Sequence, residues 1–145
     1  MVDVVTKAVI ERPRAEVAAY AADPANAPEW YVNIDSAQWQ SEPILREGSR
    51  IAFSAKFLGR ALSYVYEVVD FVPLERLVMR TAEGPFPMQT TYNWEDSGPA
   101  ATLMVLRNNG EPRGFSRLMA PLVGRSMGKA NTADLRNLKK LLESR

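Results

Sequence analysis

The side chains of this chain that could do chemistry are tyrosines, tryptophans and amides set among apolar neighbours. Tyr64, Tyr66, Tyr92 and Trp94 each carry a ring with one polar end, which suits an apolar pocket that must also hydrogen-bond a ligand. The same four rings would equally make a plain core cluster with each polar end locally satisfied. Asn108 and Asn131 are the sharper pair, because an amide on an apolar face costs stability unless it finds a partner, a water or a ligand. Either could anchor a carbonyl or hydroxyl of a ligand, or could hold local backbone or a water instead. Met88, Met104, Met119 and Met127 offer an adaptable lining or ordinary core filling. The candidate ligand-binding set is therefore Trp30, Tyr64, Tyr66, Met88, Tyr92, Trp94, Met104, Leu106, Asn108, Met127 and Asn131.

What is missing narrows the chemistry further. The 145 residues include no histidine and no cysteine. That removes the usual general base near neutral pH, the commonest metal ligand, and all thiolate and disulfide chemistry. Only oxygen ligands remain for a metal, so neither a metal site nor a cofactor is expected. Glu29, Glu67, Asp70 and Asp96 fall at turns or outer faces, and Glu75, Glu83 and Glu111 stand at turns rich in Pro or Gly. No two carboxylates are spaced for shared acid–base work, and no catalytic residue is assigned.

The elements that position these residues read clearly. The long segment Gly114 to Glu143 has helical periodicity, with Ala120, Val123, Met127, Leu135, Leu138, Leu141 and Leu142 on one face. Asn131 lies near the centre of that stripe, with Asp134 close by. Arg117, Arg125, Lys129, Arg136 and Lys140 form a basic face that reads as solvated, with contact to a partner or anionic lipid as the alternative. Pro121 would kink this helix or start its second half, and Phe115, Leu118, Met119 and Leu122 lie at a different angle from the later stripe.

Ahead of the helix the pattern is that of strands. Val2 to Glu11 predicts the first, followed by a short helix over Ala15 to Ala22 and a second helical turn over Pro24 to Tyr31. Six more strands follow: Ile34 to Glu42, Ser49 to Leu58, Ala61 to Phe71, Arg76 to Thr81, Phe86 to Glu95 and Ala101 to Asn109. Gly59-Arg60 and Asp96 to Pro99 supply tight turns. Consecutive strands on short turns favour an antiparallel meander, and one long amphipathic helix should lie across its concave face. The expectation is one α+β domain over residues 1–145, a curved sheet of about seven strands wrapped around the C-terminal helix.

Several segments together resemble the START-like, birch-pollen-allergen-like (SRPBCC) superfamily, within its polyketide cyclase/dehydrase and lipid-transport group. They are Ile10-Glu11-Arg12-Pro13 with Glu16-Val17, Asp23-Pro24 through Pro28-Glu29-Trp30, and Tyr66 through Pro73 with Arg76-Leu77-Val78. Thr90-Thr91-Tyr92 before Thr102 and the tail Leu135 through Glu143 complete the set. The resemblance implies a helix-grip fold with a deep cavity between sheet and long helix, used for hydrophobic ligands. Among its members are lipid carriers, hormone receptors, aromatase/cyclases and chaperone co-factors, and fold analogy does not choose among them.

Three functions follow as expectations. The first is a carrier or sensor binding a small hydrophobic or amphipathic ligand, lipid, isoprenoid or polyketide-like. The second is a cofactor-free polyketide cyclase/dehydratase-type enzyme that orients a poly-carbonyl chain with tyrosines and amides. The third is a protein-interaction module. A net charge of +1 gives no argument for nucleic acid. No apolar run approaches the ~18 residues of a membrane span, and the N-terminus carries no signal-peptide pattern, so a cytoplasmic monomer or homodimer is expected.

Overall fold

The computed structural model describes residues 2–111 and 119–145. The first strand, β1 (Val2–Ile10), leads to helix α1 (Arg14–Ala22), a 3-10 turn (Pro24–Asn26) and the short helix α2 (Ala27–Trp30). Six strands follow: β2 (Ile34–Trp39), β3 (Arg50–Phe57), β4 (Arg60–Val72), β5 (Arg76–Glu83), β6 (Met88–Asp96) and β7 (Thr102–Gly110). The long helix α3 (Ala120–Glu143) closes the order. The seven strands form one antiparallel sheet in the order β1-β7-β6-β5-β4-β3-β2, a meander whose last strand returns to the first. The curled half-barrel holds α3, with the short helices between β1 and β2, and this is the helix-grip fold.

Local chemistry explains where the boundaries differ from the sequence reading. β2 ends at Trp39 rather than Glu42, and the chain then turns through a Ser49 hydroxyl that donates to Ile44 O and accepts from Arg46 N. β6 begins at Met88 rather than Phe86, since Pro87 has no N–H for the ladder. The β3–β4 hairpin turns on Leu58 and Gly59, with φ of 51° and 75°, the paired left-handed conformation of a two-residue turn matched to strand twist. Pro121 sits in the first turn of α3, where its missing N–H has no partner to lose, so it starts the helix instead of kinking it. The expected earlier portion of that helix, with Phe115, Arg117 and Leu118, lies outside the described residues.

β6 and β7 show the alternation that builds the inner face. Met88, Thr90, Tyr92 and Trp94 are buried along β6, as are Thr102, Met104, Leu106 and Asn108 along β7. The register sets Thr90 beside Asn108, Tyr92 beside Leu106 and Trp94 beside Met104. Towards the Trp94–Met104 end the space under α3 is filled by Leu135, Leu138 and Leu142, with Ile10, Val17, Ala18 and Trp30 completing the core. Burying such side chains stabilises by roughly 1.5–3 kcal/mol each. Near the other end, Gly124 and Gly128 of the helix lie over Val2 and Val4 of β1. The inner face is thus solid at one end and open at the other.

Candidate functional site

Between the open end of α3 and the sheet lies a cavity of about 150 Å³. With the open mouth included, the free space among its lining atoms is about 1020 Å³. Pockets for drug-sized ligands run roughly 300–1,000 Å³, so this cavity is on the scale of a single ring. Two shallower clefts, of about 410 and 560 Å³, lie at β2–β4 and beside α1, but neither is lined by α3.

Each wall of the cavity follows from a periodicity. On α3, Val123, Met127, Asn131 and Asp134 succeed one another at helical spacing, and the stripe then becomes core at Leu135 and Leu138. On the sheet, Phe53, Tyr64, Tyr66, Met79, Met88, Thr90, Tyr92 and Asn108 face inward. β4 carries two register shifts, between Val65 and Tyr66 and between Val68 and Asp70. Both Tyr64 and Tyr66 nevertheless line the cavity, the Tyr64 ring stacked on Phe53 at 5.4 Å.

Of the eleven sequence candidates, the structure gathers seven at this cavity: Tyr64, Tyr66, Met88, Tyr92, Asn108, Met127 and Asn131. Four stand elsewhere. Met104 and Leu106 share the inward face of β7 but lie under the filled end of the helix, fully buried in the core. Trp30 is packed into that same core, and Trp94 lines the cleft beside α1. The alternation of a strand identifies the inner face but not the distance along it, which explains these four corrections.

The polar groups at the cavity include a chain of three, a linked pair and one orphan. Thr90 donates to Asn108 Oδ1 at 2.5 Å, so its hydroxyl accepts from Tyr66 at 2.9 Å and both protons are committed. The hydroxyls of Tyr31 and Tyr92 meet at 2.5 Å, where one proton makes the bond and one is left over. Asn131 is 4% exposed, and its Nδ2 is buried without a hydrogen-bond partner among the described residues. The indole nitrogens of Trp30 and Trp94 are likewise unpartnered, but in the core rather than at the cavity.

Asp134 is the residue that sequence reasoning left out of the set. Its Oδ1 accepts from the Val32 N–H at 2.8 Å, and it is 2% exposed. Burial pushes its carboxyl up to about 7, against the smaller opposing effect of that N–H. The carboxyl therefore changes charge near neutrality, the property that the lack of histidine withholds from the rest of the chain. Its signal was the three-residue step from Asn131 on the apolar stripe. Tyr31 was missed too, since it ends a helical turn with its ring 4.1 Å from Trp30. Burial raises the hydroxyls of Tyr31, Tyr64 and Tyr92 and pushes Tyr66 up to about 12, so all four stay protonated near neutral pH.

Among the described residues no cluster of three or more acidic side chains could hold a metal ion, and no helix is long and apolar enough to cross a membrane.

A family model described as polyketide cyclase / dehydrase and lipid transport matches residues 1–143. No curated protein matches the chain. Among solved structures, a START superfamily protein from Mycobacterium smegmatis is similar at a TM-score of 0.82 with 15% identity, covering 98% of this chain and 97% of that one. TTHA0849 from Thermus thermophilus superposes at 0.81 with 21% identity, covering 95% and 94%. The Zhui aromatase/cyclase from a Streptomyces species gives 0.79 with 14% identity, covering 97% and 93%. At such identities the likeness carries the fold and leaves ligand and reaction to this chain's own residues.

Proposed function

The chain belongs to the polyketide cyclase/dehydrase and lipid transport family, and from that premise we propose that it binds a small amphipathic molecule between α3 and the sheet. The observation that carries this reading is Asn131. An amide at the wall of a mostly apolar cavity, with a buried nitrogen lacking a partner among the described residues, costs about 1–3 kcal/mol in the free protein. A ligand bearing a polar group offsets that cost. The cavity's size supports a ring-sized body held inside, with any longer portion leaving through the mouth. Lipids and isoprenoids fit this account only in part-inserted form, so the carrier or sensor role is assigned to the compact end of such molecules.

Native mass spectrometry of the purified full chain tests the reading. We expect a bound small molecule, or uptake of one from a panel of single-ring compounds. A chain that stays at its apo mass throughout contradicts it.

A second reading rests on Asp134. A buried carboxyl that changes charge near neutrality, beside the Tyr31–Tyr92 hydroxyl pair at the same cavity, can lend and take a proton. That supports a cofactor-free cyclisation or dehydration of a carbonyl compound. The Asp134→Asn variant should then keep ligand affinity and lose turnover. Retained turnover removes this reading and leaves the first untouched.

A further inference from the structure

The outward side of α3 takes no part in either reading of the cavity. Leu122, Arg125, Lys129, Thr132, Arg136 and Lys140 succeed one another at steps of three or four, so they stand on one ridge of the helix. All six are exposed, and no carboxylate interrupts them. The two acidic residues of α3 are engaged elsewhere, Asp134 in the cavity wall and Glu143 with Lys139 and the Glu11 N–H. Other surface arginines sit on carboxylates: Arg14 on Asp96, Arg50 on Glu67, Arg76 on Asp70 and Arg107 on Asp3. Arg125, Lys129, Arg136 and Lys140 take part in no ion pair among the described residues. The whole chain has a net charge of only +1, so four such cations on one ridge leave the remainder net acidic. The charge is polarised towards α3.

One end of the ridge is apolar. Met119, at the N-cap of the helix, and Leu122 in its first turn are both exposed, and Val123 beside them lines the cavity. Leu58, next to the cavity-lining Phe57 at the β3–β4 turn, is exposed as well. The helix runs 24 residues, about 36 Å. An apolar end followed by a cationic length on one face is what lets a helix lie along a lipid–water boundary.

We infer that α3 docks by this ridge on a membrane surface bearing anionic lipid, with Met119 and Leu122 entering the acyl boundary and the open end of the cavity brought close to the bilayer. Charge complementarity selects the anionic headgroup, each cation near such a surface strengthening binding severalfold. The apolar end selects a bilayer over a dissolved polyanion such as nucleic acid, because Met119 and Leu122 leave water only where there is an apolar phase to enter. The inference does not depend on what the cavity holds, so its failure leaves the ligand-binding reading as it was.

The full-length chain is sedimented with vesicles of phosphatidylcholine alone and with vesicles of phosphatidylcholine and phosphatidylglycerol in equal parts. Binding is expected on the mixed vesicles only, weakening severalfold from low to physiological salt. Arg125→Gln with Lys129→Gln should lower that affinity about tenfold or more. Arg46→Gln with Arg50→Gln, which removes as much charge from ion pairs elsewhere on the surface, should leave it little changed. Leu122→Ser should weaken vesicle binding severalfold without altering the melting temperature. The wild-type preference for anionic over neutral vesicles decides the matter even if a variant fails to fold. No binding to either vesicle, equal binding to both, or an equal loss in the Arg46 and Arg50 variant overturns the inference. So does a short DNA duplex bound as tightly as the mixed vesicles, with Leu122→Ser affecting neither.

Discussion

Asp134 on the last helix accepts a hydrogen bond from the backbone N–H of Val32 at 2.8 Å, across 102 residues of sequence. One helical turn on, Asn137 donates to Trp30 O at 3.3 Å. The two bonds stitch α3 to the segment carrying Tyr31, whose hydroxyl reaches Tyr92. The side chain that anchors this wall of the cavity is thus also a buried carboxyl that titrates near neutrality.

That coupling makes stability depend on pH in a definite direction. The Asp134 carboxyl is raised from 3.8 to about 7 on folding. A raised folded-state value means its favourable share is complete below the unfolded value and is lost as pH rises towards the folded one. The loss runs from about pH 4 to pH 7 and reaches at most about 4 kcal/mol, at 1.36 kcal/mol per unit. Asp134→Asn keeps an oxygen for Val32 and carries no charge. Urea denaturation should therefore show the variant gaining on the wild type between about pH 4 and pH 7, with the gap closing below pH 4 and constant above about pH 7. Identical slopes in both proteins would mean that burial does not govern this carboxyl.

The Tyr66–Thr90–Asn108 chain predicts an order of costs. Tyr66→Phe removes the terminal donor and leaves Thr90 still bonded to Asn108, a loss of about 0.5–1.5 kcal/mol. Thr90→Val removes the centre, leaving the Tyr66 hydroxyl and the Asn108 carbonyl both without their partner. It should cost more, on the order of 2–4 kcal/mol. Thermal melts that rank the two equally, or the other way round, argue against the relay.

Two glycines should respond with opposite signs. A Cβ at Gly128 meets Val4 Cγ1 at 3.6 Å, an ordinary contact, and alanine favours a helix by about 0.5–1 kcal/mol. A Cβ at Gly110 would come within 2.2 Å of Pro87 O, backbone that cannot step aside. Gly128→Ala should melt at or above the wild type and Gly110→Ala well below it. A destabilised Gly128→Ala would mean that α3 lies closer to β1 than that contact allows.

Asn131→Leu replaces an unpartnered amide with an apolar side chain of similar size, so stability should hold or rise. A loss of about 1–3 kcal/mol would instead make Asn131 a structural hydrogen-bonding residue and withdraw it from the site.

Much of the fold was legible because strand alternation and helical spacing are local. The seven-strand order, the short helices and the stripe from Val123 to Leu142 follow from such patterns alone. What periodicity could not give was position along a face. Asn108, Leu106 and Met104 read alike on β7, yet only Asn108 reaches the cavity, because α3 and the short helices fill the space above the other two. Asp134 was hidden for a related reason. Its burial depends on Val32 and the chain around it, 102 residues away, and no window along the helix contains that contact.

The most direct test is an NMR titration of the full-length chain with acetophenone, a single-ring amphipathic probe, read at the side-chain amide resonances of Asn108 and Asn131. Both should shift together and saturably, with the Tyr31 and Tyr92 backbone signals following. Changes confined to residues of the outer clefts, such as Trp39 and Leu74 or Gln38 and Ser63, or no saturable change at all, would contradict a ligand site between α3 and the sheet.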